Sequence, residues 1–137
     1  MEFVDLGPGE YDRAKKVFDR AKHPGFIGRE TYFRCASGGR ACIAVIDGVD
    51  SGIALVTKNK LVALSVVTAA QGKGVGPSLM QRLQPQWVSS ILERVSFFER
   101  LGYTCVGAPA VGKNGKHATQ LMQLTGVAAP PKDAAPK

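Results

Sequence analysis

Val66-Val67-Thr68-Ala69-Ala70-Gln71-Gly72-Lys73-Gly74-Val75-Gly76 is the stretch on which the reading of this chain turns. It joins an apolar run, Leu61 to Thr68, to a short helical segment, Ser78 to Gln84. Between them, Gly72, Gly74 and Gly76 open backbone conformations closed to other residues. They also let an anion approach the amide N–H groups without side-chain obstruction. The helix that follows adds the positive end of its dipole. Lys73 puts a charge at the rim. Pro77 suits a first helical turn, where its missing N–H costs little. The segment is therefore expected to hold a phosphate on backbone amides.

Two common phosphate motifs do not fit. No Gly-Lys-Ser/Thr closes the loop, so it is not a Walker A loop. The glycines at 72, 74 and 76 miss the spacing of a dinucleotide-binding turn. The upstream strands disagree with that fold as well. Ala41 to Asp47, Ile53 to Thr57 and Leu61 to Thr68 are strand runs separated by the turn signals Asp47-Gly48 and Lys58-Asn59-Lys60, which predicts an antiparallel meander. The third strand is nearly all apolar and is expected to be central and buried on both faces.

Farther out, Met1 to Leu6 is a short strand candidate. Glu10 to Lys22 repeats Tyr11, Ala14, Val17, Phe18 and Ala21 at helical spacing until Pro24-Gly25. Residues 26–40 fit a short helix or an ordered loop. Past the loop, Pro85 ends the Ser78 helix. Trp87 to Leu92 reads as a strand, and Glu93 to Leu101 as a helix with Val95, Phe98 and Leu101 on one face. Gly102 stands where a left-handed cap belongs. Tyr103 to Val106 and Ala118 to Leu124 are strands around a flexible basic loop, 107–117.

A second segment, Phe97-Phe98-Glu99-Arg100-Leu101-Gly102-Tyr103, follows the glycine loop in order. Gln71, Gly74 and Gly76 match the (Q/R)xxGx(G/A) hallmark of the GCN5-related N-acetyltransferase superfamily, and the second segment resembles its FYEKLGF stretch. The resemblance covers about residues 61–106. It implies an α+β fold with a mixed, mostly antiparallel central sheet flanked by helices. A single domain is expected over 1–125, and the Pro/Ala-rich composition of 126–137 predicts a disordered tail.

It also implies an acyl-CoA site, with acetyl-CoA first in line. Backbone groups of Val66 and Val67 would pair with the pantetheine arm. Gln71, Gly72, Lys73, Gly74, Val75 and Gly76 would hold the pyrophosphate, and Phe98 completes the cofactor-binding set. The family transfers the acyl group directly to an amine, so Cys105 need not be a nucleophile. Two catalytic groups depart from the pattern. Phe98 replaces the tyrosine that protonates the departing thiolate, and it reads as a core residue on its helix face. The apolar run before the loop lacks the carboxylate that many members use as a base. Substitute acids are the hydroxyls of Ser89, Ser90 and Ser96. Substitute bases are Glu30, Glu93, Asp47 and His117. Tyr32 and Arg34, with Arg29 and Glu30, lie where the family shapes its acceptor pocket. Ser90, Ser96, Glu30 and Tyr32 are thus the catalytic candidates.

Composition sets the outer limits. The chain has 137 residues, one domain's worth. No apolar run reaches the length needed to span a bilayer, and the start lacks a signal-peptide pattern, so no membrane partner and a cytoplasmic location are expected. Three cysteines at irregular spacing make no disulfide framework and read as small buried residues. His23 and His117 have no ligand-spaced partners, so no metal site is expected. A net charge of +7 favours an anionic partner, as does the basic stretch Lys113 to His117. The leading expectation is an acyl-CoA-dependent N-acyltransferase leaning to a nucleic-acid-linked amine, on charged tRNA or a DNA base. A small-molecule or protein amine is the near alternative. A non-catalytic CoA-binding or interaction module, and a cofactor-free DNA-binding module, are the others. Family members are often dimers, so a homodimer is an option.

Overall fold

Two tight turns organise the first half of the chain. Asp47 and Gly48 both take positive φ, 51° and 77°, and so do Lys58 and Asn59, 51° and 61°. Positive φ at both central residues matches the twist of the flanking strands, so each turn folds its neighbours into a hairpin. The computed structural model describes residues 1–38, 40–111 and 118–125. It divides into two compact units, 1–83 and 84–137.

In the first unit β1 (Glu2–Asp5), β2 (Arg40–Ile46), β3 (Val49–Thr57) and β4 (Lys60–Val66) pair antiparallel in that order. β3 begins four residues earlier than the apolar pattern suggests. It is buried from Ser51 to Val56, as β2 is from Ala41 to Val45, whereas most of β4 is half-buried. The expectation that β4 is the doubly buried strand is corrected accordingly. The cause is cover: Gly52 and its neighbours on β3 carry helices on both faces.

Helix α1 (Tyr11–Arg20) buries Tyr11, Ala14, Val17 and Phe18, the stripe read from the sequence. Arg13 grips the Asp50 carboxylate with Nε at 2.8 Å and Nη2 at 2.9 Å, and Arg20 reaches the Asp50 carbonyl. These bonds tie α1 to the start of β3. The ambiguous segment resolves as helix α2 (Arg29–Gly38), anchored by the buried Tyr32 and Cys35. Tyr32 packs edge-on against Tyr11 with centroids 5.7 Å apart.

Helix α3 (Val75–Leu83) starts three residues before the sequence suggests. Pro77 falls in its first turn, where no intrahelical bond is lost. Arg40 donates to the last carbonyl, Leu83 O, at 3.3 Å. A Cβ on Gly52 would stand 2.5 Å from Val75 Cγ1 and 3.3 Å from Leu79 Cδ1. Gly52 is thus where α3 comes down onto the sheet. Ser65 lies opposite Ile53, on the other face, and meets His23 from the turn after α1. Helix α3 therefore covers one face of this sheet, and α1 with its following turn covers the other.

In the second unit β8 (Ala118–Leu124) pairs antiparallel with β5 (Trp87–Ile91), with β6 (Tyr103–Cys105) and with the short β7 (Ala110–Val111). A 3-10 turn, Leu92–Arg94, leads into α4 (Val95–Glu99), shorter than the predicted helix. Phe98 is its buried residue. Gly102 takes φ +98° and donates to Glu99 O, the expected left-handed cap. The tail and most of the basic loop, 112–117, lie outside the described residues.

Candidate functional site

The link from β4 to α3 is built from a few hydrogen bonds that leave others unmade. Val66 sits directly opposite Gly52. The ladder bond next to them runs from the Val67 N–H to the Ser51 carbonyl at 2.9 Å. In an antiparallel ladder this turns the N–H and C=O of Val66 itself away from β3. The Val67 backbone is fully engaged, because its carbonyl also accepts from Ala70 at 2.9 Å. Thr68–Ala70 forms a single 3-10 turn. The amides of Gln71 and Lys73 bond back to Thr68 and Ala70, both at 3.3 Å.

Gly72 and Gly74 then take φ +82° and +79°, and nothing lies within 4 Å of where a Cβ would be. Conformation, not space, demands glycine at both positions. Ser78 makes the first helical bond, to Gly74 O at 3.1 Å. The amides of Gly72, Gly74, Val75 and Gly76 have no acceptor among the described residues. Four unpaired N–H groups at the start of a nine-residue helix make an anion cradle. The exposed Gln71 and Lys73 side chains stand beside it.

A second concavity lies on the other face. Tyr11, Phe18, His23, Phe26 and Ile27 line a cavity of about 270 Å³ between α1 and the turn that follows it. His23 Nδ1 lies 2.5 Å from Ser65 Oγ. Its ring packs 5.0 Å from that of Phe18, and the Tyr11 hydroxyl fixes the rim by donating to Ile27 O at 2.7 Å. Burial pushes the His23 imidazole below its ordinary 6.5, so it is neutral at pH 7.

No family model matches the chain, and no curated protein matches it. Solved structures do. An acetyltransferase of the GNAT family from Bacillus cereus superposes with a TM-score of 0.70 at 16% identity, covering 88% of this chain and 94% of that one. A GCN5-related N-acetyltransferase from Rhodopseudomonas palustris gives 0.69 at 17%, covering 88% and 92%. An aminoglycoside 6'-N-acetyltransferase, complexed with coenzyme A, gives 0.67 at 17%, covering 89% and 95%. The chain has the GCN5-related N-acetyltransferase fold. Its fold class is α+β, with mostly antiparallel strands and flanking helices, as expected.

The candidate catalytic groups sit in varied surroundings within this fold. The Tyr32 hydroxyl is buried and donates to Gly7 O at 2.6 Å, and burial raises its pKa to about 12. Ser90 is buried and donates to Ile91 O at 2.7 Å. Glu30 is exposed on α2 and pairs with Arg34 at 3.4 Å. Ser96, Ser89 and Glu93 are exposed. Asp47 belongs to the first hairpin turn, and His117 lies outside the described residues. Phe98 is buried, edge-on to Phe97 and Tyr103 at 5.0 and 6.0 Å. Tyr103 donates to Pro85 O at 2.5 Å, and burial raises its pKa.

Cys35 and Cys42 are buried as expected. Cys105 is exposed, because it is the last residue of the short β6. Among the described residues no group of three acidic, cysteine or histidine side chains could hold a metal, and no helix is long and apolar enough to cross a membrane.

The sequence reading missed His23 and Gly52. A glycine inside a strand pattern is a recognised sign of close approach by another backbone or side chain. The contact of His23 with Ser65, 42 residues away, has no local signal.

Proposed function

We propose that the chain binds an acyl-CoA, acetyl-CoA first, and transfers its acyl group to an amine. One observation carries this: four unpaired amides, Gly72, Gly74, Val75 and Gly76, open at the start of α3 in a GCN5-related fold. Their donors suit a pyrophosphate, the Gln71 and Lys73 side chains flank it, and the outward N–H and C=O of Val66 suit a pantetheine amide. Val67 supports that edge through its bond to Ser51. The aminoglycoside enzyme of the same fold was crystallised with coenzyme A, which supports the reading. The thioester supplies an activated acyl carbon. The chain's own part is to hold it, exclude water and manage the amine's protons. Isothermal titration with acetyl-CoA tests the binding step, with micromolar affinity expected. No heat up to millimolar ligand would rule the reading out.

The net charge of +7 supports an acceptor amine carried on a polyanion, such as charged tRNA or a DNA base. Retention on a nucleic-acid column should then fall steeply with salt. Salt-insensitive flow-through would favour a small-molecule or protein amine.

One observation favours a non-catalytic CoA-binding module instead. Phe98 and the hydrogen-bonded Tyr103 leave no phenolic proton free in the FFERLGY segment. The Phe98→Tyr variant separates the two. A competent but poorly equipped site should turn over several-fold faster, and a binding module should stay silent across an acceptor panel.

A further inference from the structure

The cavity on the α1 face has features that the cofactor reading does not use. Phe26, at its rim, is 86% exposed, with its ring lying over Gly28. The walls are otherwise Tyr11, Phe18 and Ile27. At about 270 Å³ the space holds one small group, and its aromatic and aliphatic walls favour an aryl or branched alkyl one. The charged lining is Lys15, Asp19 and Lys22. Lys15 and Asp19 neutralise each other at 2.8 Å. From β4 the group facing the cavity histidine is Ser65, and from the α2 side Arg29 is stacked on the Tyr11 ring at 4.7 Å.

His23 occupies the junction of this cavity and β4. Its Nδ1 is held by Ser65, the residue before Val66, whose backbone groups face the outer edge of the strand. In the tautomer whose Nδ1–H donates to Ser65 Oγ, the Nε2 lone pair is free to accept a proton. Gly25 lies beside it: a Cβ there would make van der Waals contact with Nε2 at 3.8 Å, and the glycine leaves that space open. The half-buried ring is neutral at pH 7, the form a base requires.

We infer that His23, oriented by Ser65, is the base for the acceptor amine, and that the adjoining cavity seats the amine's single aryl or branched alkyl body. This rests on the acyltransferase reading above. The amine arrives as an ammonium. One proton passes to His23 Nε2 and on to solvent. The nitrogen lone pair then forms the amide bond while the C–S bonding pair stays with sulfur, and the nitrogen's second proton neutralises the thiolate. With Phe98 carrying no proton, that last transfer needs no protein acid.

The test uses the full chain with phenethylamine as the probe and spermidine as the control without an apolar body. The His23 C2–H resonance, assigned by its loss in His23→Gln, should titrate below pH 6.5. It should shift with phenethylamine and not with spermidine. In acetyl transfer to phenethylamine, His23→Gln should lose roughly 100-fold at pH 7. Its rate should then follow the amine's own ionisation, with acetyl-CoA binding unchanged. Ser65→Ala should lose roughly tenfold and move the His23 titration, which a purely structural serine would not do. A His23 resonance indifferent to phenethylamine, or a His23→Gln variant with the wild-type pH profile, overturns the inference. Failure of wild-type to bind acetyl-CoA would instead remove the acyltransferase reading, and the phenethylamine shift would still decide the cavity.

Discussion

The two segments that resemble the same family are built to opposite ends. Residues 71–76 leave hydrogen bonds unmade: four consecutive or near-consecutive amides point to nothing in the described chain. Residues 97–103 leave none of their key groups open. The Tyr103 hydroxyl is taken by Pro85, Phe98 is boxed by two rings, and Gly102 both caps α4 and accepts from Thr125. The first amides of a helix have no intrahelical acceptor, and here the exposed Gly72 and Gly74 leave them accessible to an anion. Resemblance of sequence alone gives the two segments equal weight; the hydrogen bonds separate a segment with open donors from one whose groups are taken up by the fold.

Substitutions should break this contrast in a definite order. Gly74→Val forces a β-branched residue to φ +79°, so the loop must rearrange and misplace at least one amide. A hydrogen bond to a charged group is worth about 1.5–3 kcal/mol, so acetyl-CoA affinity should fall roughly 10- to 100-fold by titration calorimetry. The melting temperature should move little. A Gly74→Val protein that binds like wild type would show that the cradle is elsewhere.

Gly52→Ala comes next. Its Cβ would collide with Val75, the first residue of α3, so the helix must lift. Overpacking of this kind costs about 1–3 kcal/mol by denaturant titration, and here it should weaken acetyl-CoA binding as well. Tyr103→Phe should cost about 1–2 kcal/mol by leaving the Pro85 carbonyl without its donor. Unlike the glycine variants, it should leave the affinity for acetyl-CoA intact, which keeps the two segments distinct.

The smallest effect is expected at Asp50. Hydrogen bonds from Arg13 hold its carboxylate below the ordinary value of 3.8. A depressed carboxylate stabilises the folded state fully above its unfolded pKa and loses that contribution as pH falls through its folded value. Asp50→Asn should therefore cost about 1 kcal/mol at pH 7, discounted for partial exposure. Urea melts in strong acid should show wild type and variant converging.

Much of this was legible in the residues. Both hairpin turns, the α1 stripe, the loop glycines and the Gly102 cap follow from local stereochemistry, which the sequence states directly. Helix α2 was not legible, because it buries only Tyr32 and Cys35 and so shows little periodicity. The start of α3 was hidden because Gly76 and Pro77 look like loop residues, although both are at home in a first turn. The role of Gly52 and the pairing of His23 with Ser65 depend on segments that meet only after folding. The exposure of Cys105 is likewise set by where β6 stops.

That exposed thiol gives the protein a built-in pair of chemical clocks. Cys105 is open to reagents, while Cys35 and Cys42 are fully buried and burial raises the pKa of both. A maleimide dye should therefore label the second unit at a single position at once, with no engineering. Any slower labelling at Cys35 and Cys42 times the spontaneous opening of the first unit, which holds the proposed phosphate cradle, and acetyl-CoA bound there should slow the clock.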